Sequence, residues 1–155
     1  MRMANFIVRD AIIADLKATT RDDAVLEVVQ SLITAGQLPA ADAEDIVKAI
    51  LKREKLGTTG IGHGIAIPHS RHPAVGQLLG TLAISKNGLP FQSIDGDPVH
   101  VMVLLVSPPD RPGDHLRALE NVVKTMQDES FVKSLKSAPT RDDLWRLLNG
   151  GELGS

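Results

Sequence analysis

Arg53-Glu-Lys-Leu-Gly-Thr-Thr-Gly-Ile-Gly-His-Gly-Ile-Ala-Ile-Pro-His69 places four glycines, Gly57, Gly60, Gly62 and Gly64, within eight positions and closes on a histidine behind a proline. Glycine loses more backbone freedom on folding than any other residue, so such a run implies positive φ or close backbone approach. That is the mark of a site more than of packing. Gly57 and Gly62 have the spacing of a phosphate-binding loop, but His63-Gly64 stands where Lys-Ser/Thr is required. Gly60-x-Gly62 opens like a dinucleotide fingerprint, but Ile65 takes the third glycine's place and the following residues read as extended. Nucleotide binding is therefore not expected at this loop.

Upstream of the loop, Ala43, Ile46, Val47 and Ile50 recur at helical spacing, predicting a helix from about Ala40 that stops near Gly57 with Arg53 in its last turn. An earlier helix is predicted after Thr20, where Thr20-Arg-Asp-Asp23 offers a capping-box arrangement. Its buried stripe is Val25, Val28, Val29, Leu32 and Ile33, and Gly36 stops it. Ala11 to Leu16 reads as a short strand with Ile12 and Ile13 on opposite faces.

Downstream, extended residues 63 to 69 would place His63, Ile65, Ile67 and His69 on one face. Pro68 lacks a backbone donor, so the strand is expected to end there and leave His69 at a sheet margin. Leu78 to Ser85 reads as another strand, with Asn87-Gly88 and Asp95-Gly96 as turn signals. Val99 to Val106 is apolar on both faces, which predicts a central strand covered by helices on both sides. Pro108 to Gly113 reads as a rigid loop, with Asp114 capping a helix from His115 to Met126. Two further helices are predicted, one around Phe131 and Leu135 and one after Thr140. The fold class is α/β: a single-domain sandwich over residues 1–150, with residues 151–155 as a loose C-terminal tail.

Composition restricts the function. A chain of 155 residues fits one core. A formal net charge of -2, three Phe, one Trp and no Tyr supply neither a basic field nor stacking rings, so nucleic acid is not expected as a direct ligand. The absence of cysteine removes disulfides and thiolate chemistry and is compatible with a reducing cytosol. The longest apolar run, around Val99 to Val106, is far short of a membrane span, and the start is too weakly apolar for a signal peptide. A cytoplasmic protein without membrane insertion is expected.

The glycine run ending in Ile-Pro-His69, together with Pro112-Gly-Asp-His115-Leu, resembles the signature of enzyme IIA domains of the bacterial phosphoenolpyruvate-dependent phosphotransferase system. The likeness is to the mannitol/fructose and nitrogen-regulatory branch and extends from the N-terminal third to Leu148. It implies a mixed parallel and antiparallel sheet of about five strands flanked by helices on both faces. It also implies that His69 carries a phosphoryl group, with His115 assisting and Arg53 stabilising charge, and that no cofactor is needed. The implied phosphoryl donor is HPr or a nitrogen-branch HPr paralogue. The implied recipients are regulatory target proteins or, in a sugar-specific alternative of the fructose/mannitol type, an enzyme IIB serving carbohydrate uptake. The length of the chain, without a fused IIB, IIC or HPr segment, leads us to expect the regulatory form.

The chemistry of the residues agrees with that assignment. Imidazole, with an ordinary pKa near 6.5, is substantially neutral at cytosolic pH and can attack phosphorus without a separate base. The charge it then acquires must be met by donors already in place. Candidates are Arg53, the His115 ring, the amides at the start of the following helix at Asp114 and Leu116, and the Thr59-Gly60 segment. His63 departs from the small polar residue often found at its place in the resembled motif. A metal-hydrolase alternative rests on His63, His69 and His72, but Pro68 and Pro73 break any helical face and no His-Glu-x-x-His helix accompanies them.

Overall fold

The computed structural model describes residues 1–150, and the tail expected at 151–155 lies outside the described residues. Helices α1 (Arg21–Thr34) and α2 (Ala43–Leu56) lead into strands β1 (Gly60–Gly62), β2 (Ile65–Ala66), β3 (His69–Arg71), β4 (Leu79–Leu89) and β5 (Val99–Ser107). Helices α3 (Pro112–Thr125), α4 (Glu129–Ser137) and α5 (Arg141–Leu148) follow.

Local chemistry sets the helix starts. Thr20 and Thr140 accept from the amides of Asp23 (3.2 Å) and Asp143 (3.1 Å), each satisfying a donor that the first helical turn leaves unpaired. Gly36, at φ 77°, takes the left-handed conformation just beyond α1. Helix α2 begins three residues later than its apolar pattern suggests, because Ala40–Asp42 forms a 3-10 turn first. Helix α3 begins at Pro112, ahead of the expected His115: proline at the first helical position needs no hydrogen-bond partner and already has helical φ. Asp114 therefore lies inside the first turn and does not cap it.

The five strands form one mixed sheet with β5 at its centre. Strand β4 pairs antiparallel with β5, from Leu79 opposite Val106 to Leu89 opposite Val99. Strands β2 and β3 are both parallel to β5, and β1 folds back antiparallel on β2. Two expectations fail here. Ala11 to Leu16 is no strand; the N-terminal segment only touches β4, through bridges at Ile7–Gly80 and Ile13–Ala83. Asn87-Gly88 is no chain-reversing turn but an irregularity within β4, where Gly88 at φ 86° donates to the Ser85 hydroxyl (3.1 Å) and the register shifts before Leu89. Asp95-Gly96 does turn the chain, with the Gly96 amide on the Ser93 carbonyl at 2.9 Å.

Alternation along β5 builds two cores. Val101, Val103 and Leu105 face one cluster with Ala118 and Val122 of α3, Leu135 of α4 and Leu144 of α5. Met102, Leu104 and Val106 face the other, with Val25, Val28 and Leu32 of α1 and Ile46 and Ile50 of α2. The helices thus cover both faces of the sheet, as the two-sided apolar strand requires. No helix among the described residues is long and apolar enough to cross a membrane.

Gly80 marks where backbones approach most closely. Its amide donates to the Phe6 carbonyl (2.9 Å), and an added Cβ would lie 2.7 Å from the Leu104 carbonyl oxygen and 2.9 Å from Leu105 Cδ2. Gly80→Ala is therefore expected to lower stability by about 1–3 kcal/mol in urea unfolding, the usual range for overpacking. Gly76→Ala, whose new Cβ would meet nothing within 4 Å, should leave the midpoint near wild type.

Candidate functional site

His69 is placed by the way β2 and β3 share one partner. Ile65 lies opposite Val101 and His69 opposite Leu105, so the two short strands keep a common register on β5 across Ile67-Pro68. Pro68 has no N–H to offer, but its carbonyl accepts from Leu105 at 3.0 Å and the pairing resumes. The expected strand end at Pro68 is thus an interruption. Ile65, Ile67 and His69 do share a face, the one that α3 covers. His63 leaves it: it sits in a turn at φ 56°, with its amide donating to Asp95 (2.9 Å).

A pocket of about 650 Å³ opens around His69, lined by Arg53, Ser70, Arg71, Pro112, His115 and Leu116 among others. The His69 and His115 ring centroids are 5.4 Å apart, with the planes at 61°. His69 is half-buried, and its Nδ1 lies 2.7 Å from the Ile67 carbonyl. A carbonyl can only accept, so Nδ1 carries the proton and Nε2 is left with its lone pair. Burial lowers the His69 pKa below its ordinary value; the Ile67 hydrogen bond opposes that shift, while Arg53 and Arg71 add to it. His115 is buried, its Nδ1 paired with the Ser107 hydroxyl, and burial followed by His69 and Arg71 pushes its pKa down to about 4. Both rings are thereby favoured in their neutral forms.

Arg53 projects from the last turn of α2 and donates one N–H to the Gly57 carbonyl at 2.9 Å. Guanidinium has five N–H donors, so the others remain for the pocket. Arg71 is a second cation at the site that the sequence reading passed over. It lies two residues beyond His69 on β3, hence on the same face, and only the assumed strand end at Pro68 hid it. Ser107, opposite Arg71 on β5, escaped for the same reason.

The remaining candidates lie as follows. Thr59 is buried, with its amide and hydroxyl both directed to Glu54. The Gly60 amide is taken by the Thr58 hydroxyl at 3.0 Å, and neither residue lines the pocket. The Asp114 carboxylate pairs with Arg117 and, at 3.8 Å, with Arg111. Leu116 does line the pocket, by an exposed side chain; its amide lies past the first turn, where the helix ladder uses it. The His115 amide is likewise occupied, by the Arg111 carbonyl at 3.3 Å. The amides at the start of α3 without a preceding helical carbonyl are those of Gly113 and Asp114. His72, of the metal-hydrolase alternative, pairs with Asp45, and no cluster among the described residues is suited to hold a metal ion.

Known proteins share this arrangement of chain and fold. Residues 5–150 match the family model described as "Phosphoenolpyruvate-dependent sugar phosphotransferase system, EIIA 2". A nitrogen regulatory protein of Bradyrhizobium diazoefficiens is 30% identical over 148 residues, covering 96% of this chain and 95% of that one. The fructose-specific EIIABC component of Bacillus subtilis is 29% identical over 149 residues, and the match spans 23% of that longer protein. The crystal structure of nitrogen regulatory protein IIA-Ntr from Neisseria meningitidis superposes with a TM-score of 0.83 at 27% identity, covering 94% of this chain and 98% of that one.

The depressed His115 pKa has a thermodynamic consequence. Between about 6.5, where an unfolded histidine titrates, and about 4, the unfolded chain binds a proton that the native ring does not. The stability contributed by neutral His115 is complete above that window and is lost as pH falls through it. In urea unfolding across this range, His115→Gln should show a shallower loss of midpoint with acidification than wild type. Equal slopes would remove His115 as a source of the acid sensitivity.

Proposed function

Because this chain belongs to the EIIA 2 family of the phosphoenolpyruvate-dependent sugar phosphotransferase system, we propose that His69 is its phosphoryl acceptor and that the donor is HPr or a nitrogen-branch HPr paralogue. The observation that carries this reading is the hydrogen bond from His69 Nδ1 to the Ile67 carbonyl, which leaves Nε2 as the nucleophile in a pocket that also holds His115 and two arginines.

In this reading Nε2 attacks the phosphorus of the donor's phosphohistidine; the new N–P bond forms as the donor's breaks, and the donor imidazole leaves with the bonding pair. The Nδ1 proton stays where it was, and the Ile67 carbonyl stabilises the positive charge that the His69 ring acquires while it holds the phosphoryl group. Arg53 and Arg71 meet the phosphoryl oxygens. Ser107 Oγ pairs with His115 Nδ1; in the tautomer where that hydroxyl donates, His115 Nε2 carries a proton and serves as a further donor. The amides of Gly113 and Asp114 complete the anion's surroundings at the positive end of α3. Leu116 and Leu119 at the pocket mouth supply apolar contact for the docking donor and exclude water during transfer.

Downstream, we favour regulation: the phosphorylation state of His69 controls binding to target proteins. The support is the nearly end-to-end match to a nitrogen regulatory protein. The second reading, transfer to an enzyme IIB for carbohydrate uptake, is supported by the match to the fructose-specific component. Incubation of phosphorylated protein with IIB of the fructose type separates the two, since prompt loss of label to IIB favours uptake.

Labelling from phosphoenolpyruvate through enzyme I and HPr tests the site. His69→Ala should abolish incorporation. Arg53→Ala and His115→Ala should slow it, each by on the order of a hundredfold, the usual loss on removing one preorganised donor to a developing anion. Arg71→Ala should slow it in the same direction. An unchanged rate in any of these three removes that residue from the phosphoryl site.

A further inference from the structure

Glu54 is a buried carboxylate one residue past Arg53, 4% exposed, and the phosphoryl site as described makes no use of it. Burying a carboxylate is costly unless it is well hydrogen-bonded, and here both oxygens face Thr59. The Thr59 amide lies 3.2 Å from Oε1 and 3.1 Å from Oε2, and the Thr59 hydroxyl donates to Oε1. Thr59 then reaches the segment between β2 and β3, its carbonyl accepting from the Ile67 amide at 3.0 Å. The Ile67 carbonyl is the group that holds His69 Nδ1. Hydrogen bonds linked through the backbone of Thr59 and of Ile67 thus connect Glu54 to His69.

We propose that Glu54 is a positioning residue for His69, holding Thr59, and through it the backbone at Ile67 whose next carbonyl meets the ring, where it selects the Nδ1–H tautomer and leaves Nε2 as the nucleophile. This deepens the phosphoryl-acceptor reading and rests on it. The local structure explains why such an anchor is needed. The segment from Gly57 to Gly60 contains two glycines and would be loosely held by backbone preference alone. It is fastened back on α2 by consecutive residues, Arg53 to the Gly57 carbonyl and Glu54 to Thr59. Pro68 adds to the need: without an N–H, it cannot help to fix the peptide on which the ring depends. The Glu54 charge raises the pKa of the His69 ring, offsetting in part the lowering by burial and by the two arginines.

Two substitutions separate reach from charge. Glu54→Asp keeps the carboxylate but withdraws it by one methylene, out of contact with Thr59; Glu54→Gln keeps the reach and removes the charge. The first readout is the His69 tautomer in the unphosphorylated protein, from imidazole nitrogen chemical shifts. The second is the rate of labelling from phosphorylated HPr. Glu54→Asp should give a mixture of tautomers and a loss of roughly tenfold to a hundredfold in rate, as expected when a reacting atom is misplaced by about an ångström. Glu54→Gln should retain the Nδ1–H tautomer and a rate close to wild type. A wild-type tautomer in Glu54→Asp overturns the proposal. If Glu54→Asp fails to fold, the Glu54→Gln spectrum decides: a retained tautomer supports positioning by reach, and a mixed one overturns it. The tautomer is read without phosphoryl transfer, so failure of His69 to take label at all would refute the acceptor reading while leaving the role of Glu54 separately measurable.

Discussion

The site depends on one backbone constraint: β2 and β3 keep a single register on β5 although a proline stands between them. A one-residue slip in a strand sends every side chain to the opposite face. Were the register lost at Pro68, His69 would turn toward α1 and α2, away from His115. The central strand opposes this because it is paired on both flanks, by β4 on one and by β2 and β3 on the other. Its side chains from Val101 to Val106 are buried on both faces, so it has no freedom to shift. The chemistry is thus positioned by the most buried element in the molecule.

Helices, strands and site were legible in the sequence to different degrees, for physical reasons. The caps at Thr20 and Thr140 act over three residues, so sequence alone locates them. The β5 strand was legible because two-sided burial leaves no polar alternation. Asn87-Gly88 misled because turn propensity is local, whereas the pairing of Leu89 with Val99 is not; the tertiary ladder absorbed the positive φ of Gly88 as an irregularity. Pro68 misled in the same way. Its missing donor suggested an end, but its carbonyl still serves the ladder, and the alternation that then exposes Arg71 beside His69 could have been read by continuing the strand two residues. Glu54 gave no signal, since a glutamate beside an arginine in a helix's last turn reads as solvated, and only the folding back of the glycine loop buries it.

His63 shows how far apart sequence neighbours can be placed. Extended backbone from 63 to 69 would have aligned its ring with His69 and made it a basic neighbour of the site. Gly62 and Gly64, at φ 95° and 79°, instead turn the chain on either side of it, and His63 itself is left-handed. It lines a separate cavity of about 860 Å³ with Ile61, Ile65, Val123, Met126 and Lys133. Two of the four glycines thus make a hairpin that removes a basic residue from the His69 pocket.

What remains at the pocket is a division of labour between rings and guanidinium groups. Two imidazoles packed 5.4 Å apart could not both be charged without strong repulsion, and burial has already displaced both toward neutrality. A nucleophile must be neutral before reaction, whereas a receptor for a phosphoryl group must be cationic, and one residue cannot satisfy both demands at once. In the phosphoryl-acceptor reading proposed above, Arg53 and Arg71 would resolve the conflict by carrying the positive charge on guanidinium groups. Their presence also depresses the His69 pKa, which favours an unprotonated Nε2, the state the proposed attack would need.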